Sequence, residues 1–258
     1  MNQEHQSDSV RFLYFLKSTY DRVLEEFPSL SFNKKHPYDQ YIIGLYCKLV
    51  ELTAGCLVLI EKEIFSGLPI LFRSYLEAYV DLINLLKDES YMYFLEATYS
   101  KEWLKLYRQA NSENNPYLAD LYRINNLADV IAKEESNLSE LQEKGFTPLG
   151  RLDQFEKAGM INEYRSIYNE LCCHSHNNKR SLLDCHAEIF GHDFRFVLFK
   201  KYSPSDIDHY VLSICDYLIT ISGQIHEKLD GMPHIFNEIV TQWENLKERS
   251  RDKPLTSG

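Results

Sequence analysis

Glycine and proline are scarce in this chain. Ten glycines and eight prolines among 258 residues cannot supply the turns that a fold of many short strands needs, so long helices are favoured. An excess of positive charge is also lacking. The formal balance of −10 excludes a protein whose whole surface grips nucleic acid, because phosphate contacts need clustered Lys and Arg. The longest apolar runs, Leu52 to Ile60 and Tyr210 to Gly223, are too short or carry Asp216, and neither reaches the roughly 20 residues that span a bilayer. No membrane partner is expected. The first nine residues are polar and hold no basic stretch followed by an apolar core, so no secretory signal is read and a cytoplasmic location is expected. In that compartment the six cysteines are expected to stay thiols rather than form a disulfide framework.

What is present suits a helical core. A hydrophobic share of 44% with 26% charge is that of ordinary soluble domains, and the length is enough for a sizeable interior. Val10 to Phe27 reads as a first helix, with Phe12, Phe15, Leu16, Tyr20 and Val23 near helical spacing, stopped by Pro28. Pro37 opens a second helix to about Phe65, and after a kink at Ser66-Gly67 the pattern continues through Leu71, Tyr75, Tyr79 and Leu82 to Leu86. Glu89 to Ala110 is a further helix, and Asn115-Pro116 starts one that runs to Lys144. Gly145 to Met160 reads as a long connection around a short amphipathic piece, and Ile161 to Ser175 as helix again. Residues 189–202 suggest a small β-hairpin or an extended loop. Ser203-Pro204-Ser205-Asp206 is a capping box opening a helix to about Leu229, and a last helix spans about 234–248 before a polar tail. The expectation is one all-α domain over 1–258, its core about 10–229, with no internal repeat and no linker that divides it.

Groups capable of chemistry at neutral pH crowd between Tyr168 and His192, where three of the six cysteines and four of the nine histidines fall. Tyr168, Cys172 and His176 recur every four residues and share one helix stripe. Far upstream, Arg73 and Glu77 stand four apart in an otherwise apolar helix, and buried charges need partners. From His174 to Lys201 five basic residues (Lys179, Arg180, Arg195, Lys200 and Lys201) face three acidic ones (Asp184, Glu188 and Asp193), so this stretch is about +2 and the remainder about −12. It is a local anion-binding rim. Zinc is disfavoured, since no Cys-x-x-Cys or His-x-x-x-His pair anchors a site. No metal or other cofactor is expected. A Cys172 nucleophile beside His176 lacks a backbone oxyanion hole in a helix interior.

The pattern Arg73-x-x-x-Glu77 followed about a hundred residues later by Tyr168-x-x-Leu171-Cys172-x-x-x-His176 resembles the helical family known as domain of unknown function 5677, over about Leu45 to Asn178. Cys172 stands where that family usually has Ser. More distantly, Leu171 to His176 is similar to the signature of HEPN proteins, helical dimers many of which are metal-independent ribonucleases of toxin and phage-defence systems. That signature has an Arg four to six residues before the His, and Cys172 occupies the place, so Arg73 or Arg180 is left to supply the guanidinium. The resemblance implies a HEPN-like bundle, a homodimer, a protein partner such as an antitoxin or sensor, and RNA cleavage by His176 with Arg73, Glu77, Tyr168 and Cys172 around it. The competing reading is a non-catalytic helical protein that binds a protein or small ligand, with the same residues forming a structural polar network.

Overall fold

The structure, a computed structural model, describes residues 8–112, 115–122, 126–176 and 178–251. In chain order the helices are α1 (Asp8–Glu26), α2 (Pro37–Glu61), α3 (Leu68–Lys87), α4 (Tyr91–Ser112), α5 (Ala119–Tyr122), α6 (Leu127–Glu143), α7 (Arg151–Ala158), α8 (Ile161–Glu163), α9 (Asn169–Ser175) and α10 (Lys179–His186). A two-stranded antiparallel sheet follows, β1 (Ala187–Phe190) with β2 (Asp193–Phe196), and then α11 (Asp208–Lys228) and α12 (Pro233–Arg251). The fold is all-α with one small hairpin, as the shortage of glycine and proline predicts. The first seven residues and those after Arg251 lie outside the described residues, so the polar N-terminal segment and the end of the polar tail receive no structural account.

By their contacts the residues fall into two compact units, one built from 1–83 and 160–258, the other from 84–159. In the first, α11 is the hub. It packs against α1, α2 and α12, and its inward side, Val211, Ile214, Cys215, Leu218, Ile219, Ile221, Ser222 and Ile225, is buried. Two polar pairs lie inside this core: the Tyr46 hydroxyl meets Ser222 Oγ at 2.8 Å, and Tyr75 donates to the Ile214 carbonyl at 3.3 Å. Phe12, Leu16, Thr19 and Val23, the buried stripe of α1, recur every three or four residues, which is the periodicity that made this helix legible. Helix α2 carries an 18-residue window of mean hydropathy 1.8, 39% of it buried. By length and composition it is long enough to cross a membrane, a property that shorter uninterrupted runs of its sequence concealed; here it packs on α1 and α11.

In the second unit α4 packs on α6, joined by Ser100 to Glu134 at 2.9 Å and Arg108 to Glu135 at 2.7 Å. Three boundaries differ from expectation. The helix from Pro37 ends at Glu61, where Glu63 takes a left-handed backbone (φ 55°), before the expected kink at Ser66-Gly67. The helix expected from Pro116 to Lys144 is divided, because Asn126 (φ 65°, ψ 41°) breaks the helical path before α6. Asn tolerates that conformation better than most residues. The long connection expected over Gly145 to Met160 contains α7, capped at its start by Asp153 accepting from Gly150 N–H at 3.1 Å and closed by left-handed Gly159 (φ 76°).

Candidate functional site

Arg73 and Glu77 project from successive turns of α3, and Arg73 Nη2 lies 3.3 Å from Glu77 Oε1. The third member arrives from a different element. Between α8 and α9 the helix widens into a π turn, Tyr164–Tyr168, a distortion that re-aims side chains and often marks functional positions. Its last residue, Tyr168, donates its hydroxyl to Glu77 Oε1 at 2.7 Å and accepts from Arg73 Nη2 at 3.3 Å. Each of the three thus touches the other two. Tyr164 stacks on Tyr168 with centroids 5.4 Å apart, and Arg73 Cζ lies 5.6 Å from the Tyr168 ring centre. Arg73 and Glu77 keep 25% and 17% side-chain exposure, so the cluster lies at the edge of the core.

Electrostatics fix the protonation states. Burial pushes the Tyr168 phenol up to about 12, and the Glu77 carboxylate adds to the rise against the opposing Arg73 hydrogen bond, so Tyr168 stays a neutral donor at physiological pH. The Arg73 guanidinium is held in its charged form above all by its hydrogen bond to Tyr168. Its Nε is buried and has no hydrogen-bond partner. A charged, desolvated donor without an acceptor is costly, and the Nε edge is the side that binds carboxylate or phosphate in a fork. Cys172, half-buried one turn beyond Tyr168, interacts electrostatically with both Arg73 and Tyr168.

His176 is placed apart from this cluster. Helix α9 ends at Ser175, and His176 takes the cap position (φ −114°, ψ 24°), its N–H reaching the Cys172 carbonyl at 3.2 Å while the imidazole is exposed. Among the described residues no hydrogen bond or ion pair joins His176 to Arg73, Glu77 or Tyr168. Asn178, two residues on, accepts from Arg180 N–H at 2.9 Å and so caps α10. This helix is not among those expected from the sequence, although the Asn before a run of helix formers is a start signal. Lys179 and Arg180 are exposed in its first turn, where the helix dipole adds partial positive charge to theirs.

The rest of the basic rim is largely engaged within the molecule. Arg195 forms two hydrogen bonds to Glu188 Oε2, at 3.0 and 2.7 Å, and Lys201 pairs with Glu63. Lys200 and Tyr202 both donate to the Asp184 carbonyl, at 2.8 and 2.9 Å, satisfying the last turn of α10. Arg180 sits 4.0 Å from Asp184 with both side chains well exposed, a separation that adds little. Sequence spacing also gave no hint that His174 Nδ1 comes within 3.6 Å of Cys185 Sγ. Burial pushes that thiol up, which makes it a poor nucleophile. Among the described residues no cluster of three or more His, Cys, Asp or Glu is placed to hold a metal ion.

Residues 39–190 match a family of unknown function (DUF5677). That span includes Arg73, Glu77, Tyr168, Cys172 and His176. No curated protein and no solved structure matches the chain.

Proposed function

Since the chain belongs to the DUF5677 family of unknown function, we propose that it is a metal-independent endoribonuclease of the kind used in bacterial defence or toxin systems, acting at the junction of α9 and α10. One observation carries the reading: exposed His176 stands two residues before the Asn178 cap of a helix whose first turn bears Lys179 and Arg180, and one helical turn beyond Cys172, which interacts electrostatically with Arg73. A phosphodiester held by Lys179, Arg180 and the helix dipole lies beside an imidazole that can accept a proton. His176 takes the 2′-hydroxyl proton, the 2′-oxygen attacks phosphorus, and the P–O5′ bond breaks. The products are a 2′,3′-cyclic phosphate and a 5′-hydroxyl end. The proton on His176 returns to the leaving oxygen, while Arg73, oriented by Glu77 and Tyr168, neutralises charge on the phosphoryl oxygens.

The mutual hydrogen bonds of Arg73, Glu77 and Tyr168 favour a second reading, a clamp between α3 and the π turn in a non-catalytic protein that binds a partner such as an antitoxin or sensor. One experiment separates the two. Purified wild type, His176→Ala and Tyr168→Phe are incubated with total RNA in excess chelator, and the new RNA ends are analysed. On the ribonuclease reading wild type leaves cyclic phosphates and His176→Ala is slower by about 100-fold or more, the usual worth of a general acid–base group, with an unchanged melting temperature. Identical RNA profiles for wild type and His176→Ala sink it, and a loss of stability in Tyr168→Phe alone leaves the clamp.

A further inference from the structure

The β1–β2 hairpin carries a bare aromatic face. Its register pairs Ala187 with Phe196, Glu188 with Arg195, Ile189 with Phe194 and Phe190 with Asp193. Residues directly opposite share a face, and neighbours along a strand alternate between faces. Ile189, Phe194 and Phe196 therefore lie with Ala187 on one side. Phe190 lies on the other, where the Arg195 guanidinium is 4.9 Å from its ring centre. On the first side Phe194 and Phe196 are 51% and 68% exposed. Their rings stand edge to face, with centroids 5.5 Å apart and planes at 90°, so at most one π-face of the pair is used within it.

We infer that Phe194 and Phe196 are a base-stacking platform, and that the strand held at the start of α10 is single-stranded RNA whose unpaired bases lie on these rings. RNA as the ligand rests on the ribonuclease reading of that junction; the rings add the substrate class. Three observations carry the assignment. The first is continuity with the proposed site. Strand β1 starts at Ala187, directly after α10 ends, and the eight residues of α10 put Ala187 about 12 Å from the turn that bears Lys179 and Arg180. Phe196 is paired opposite Ala187. A strand held at that turn reaches the rings within the roughly 4–16 nucleotides that a stacking groove occupies. The second is spacing. Residues two apart on a strand stand about 7 Å apart, about twice the roughly 3.4 Å repeat of stacked bases. Successive bases can sit on the two rings only when unstacked from each other, which a duplex forbids and a single strand allows. The third is charge: segment 174–201 carries about +2 and the remainder about −12, so a polyanion meets the chain favourably here. A single strand can follow this segment alone, whereas the plane of an anionic bilayer would also meet the acidic remainder.

Arg195 and Lys201 are engaged with Glu188 and Glu63, so the hairpin contributes rings to the strand and little charge. That separates its effect from that of the cations in one experiment. A fluorescent RNA of about 12 nucleotides, within the usual footprint of a stacking groove, is titrated into the full chain carrying His176→Ala. The same titration is made with Phe194→Leu and Phe196→Leu added. Leucine keeps the face apolar and removes the rings. The added pair is expected to weaken single-strand binding by about 10-fold or more and to leave the slope of log K against log salt unchanged, because stacking releases no counterions. With a duplex of the same sequence, or a strand of abasic sites, the two chains should bind alike. Both positions are exposed, so circular dichroism and melting of the variant should match those of the parent. Equal affinity of the two chains for the single strand overturns the proposal, as does an equal loss with duplex or a loss that comes with a shallower slope. Ring-dependent binding by a wild type that cuts no RNA keeps the platform and removes the ribonuclease reading. Cleavage with ring-independent binding removes the platform alone. A chain that binds no RNA overturns it too, and rings that instead attach the chain to zwitterionic vesicles assign the face to a membrane.

Discussion

His226 shows how one side chain sets a pH limit on the fold. It is fully buried at the end of α11, its Nδ1 accepts from Met232 N–H at 3.1 Å, and its Nε2 has no partner. Because Nδ1 is the acceptor, the neutral tautomer carries its hydrogen on Nε2, and protonation would cost the bond to Met232. Burial lowers its pKa against a weaker opposing pull from Glu26. The unfolded chain binds a proton near pH 6.5 that the folded one refuses, so stability is complete above that pH and is lost as pH falls through and below it. His209, also lowered by burial, adds in the same direction. Thermal melts between pH 7.5 and 5 should show a falling midpoint, with a slope of at most about 1.4 kcal/mol per pH unit per histidine. His226→Asn keeps an acceptor near Nδ1 without titrating and should flatten the slope; an unchanged slope rejects the assignment. At this scale the site was half legible. Arg73 and Glu77 stand out by four-residue spacing in an apolar helix, while of the expected stripe Tyr168 ends a π turn, Cys172 lies in α9 and His176 caps its end. The exposure of His176 follows from where α9 stops, at Ser175, and the helical stripe alone does not mark that end.

At the scale of elements, the helices were legible because each buries a stripe of three- to four-residue period, while the breaks were not. Glu63 and Asn126 bend the chain with left-handed backbones that no Gly or Pro announces, and the π turn at Tyr164–Tyr168 leaves the apolar pattern intact. The hairpin was legible from its aromatic run and the Gly191 turn, where φ is 61°, but the exposure of that run was not. The turn between α11 and α12 is another place where local packing decides. A Cβ on Gly231 would stand 2.3 Å from His226 Nδ1 and 3.1 Å from Leu30 Cδ2, with Asp230 already in a left-handed conformation (φ 51°). Gly231→Ala is expected to destabilise by about 1–3 kcal/mol, the usual cost of overpacking. Gly223→Ala, inside α11 and 3.5 Å from Phe236 Cβ, meets ordinary contact and removes a poor helix former, so it should be neutral or stabilise by up to about 1 kcal/mol. Urea unfolding of both variants checks the pair, and equal effects at the two glycines contradict the packing account.

For the whole molecule, on the ribonuclease reading proposed above, the distribution of charge limits how RNA can be held. A chain of net charge −10 gains nothing from its general field, so affinity must come from the few cations at the site. Five rim residues and Arg73 were expected to serve, but Arg195 and Lys201 are paired with Glu188 and Glu63, and Lys200 closes the end of α10. Lys179, Arg180 and Arg73 are left. Each phosphate contact with a single strand contributes about −0.7 to the slope of log K against log salt concentration. Three contacts predict a slope of about −2, and all six predict about −4. Titrating a fluorescent single-stranded RNA into His176→Ala, which binds without cutting, between 50 and 300 mM salt distinguishes them, over a range where screening changes strongly. Lys179→Ala should make the slope shallower by about 0.7, whereas Lys201→Ala should leave it unchanged because its charge is already spent on Glu63. A slope near −4, or an equal response to both substitutions, would show that the intramolecular pairs open to admit RNA and that the rim acts as a whole.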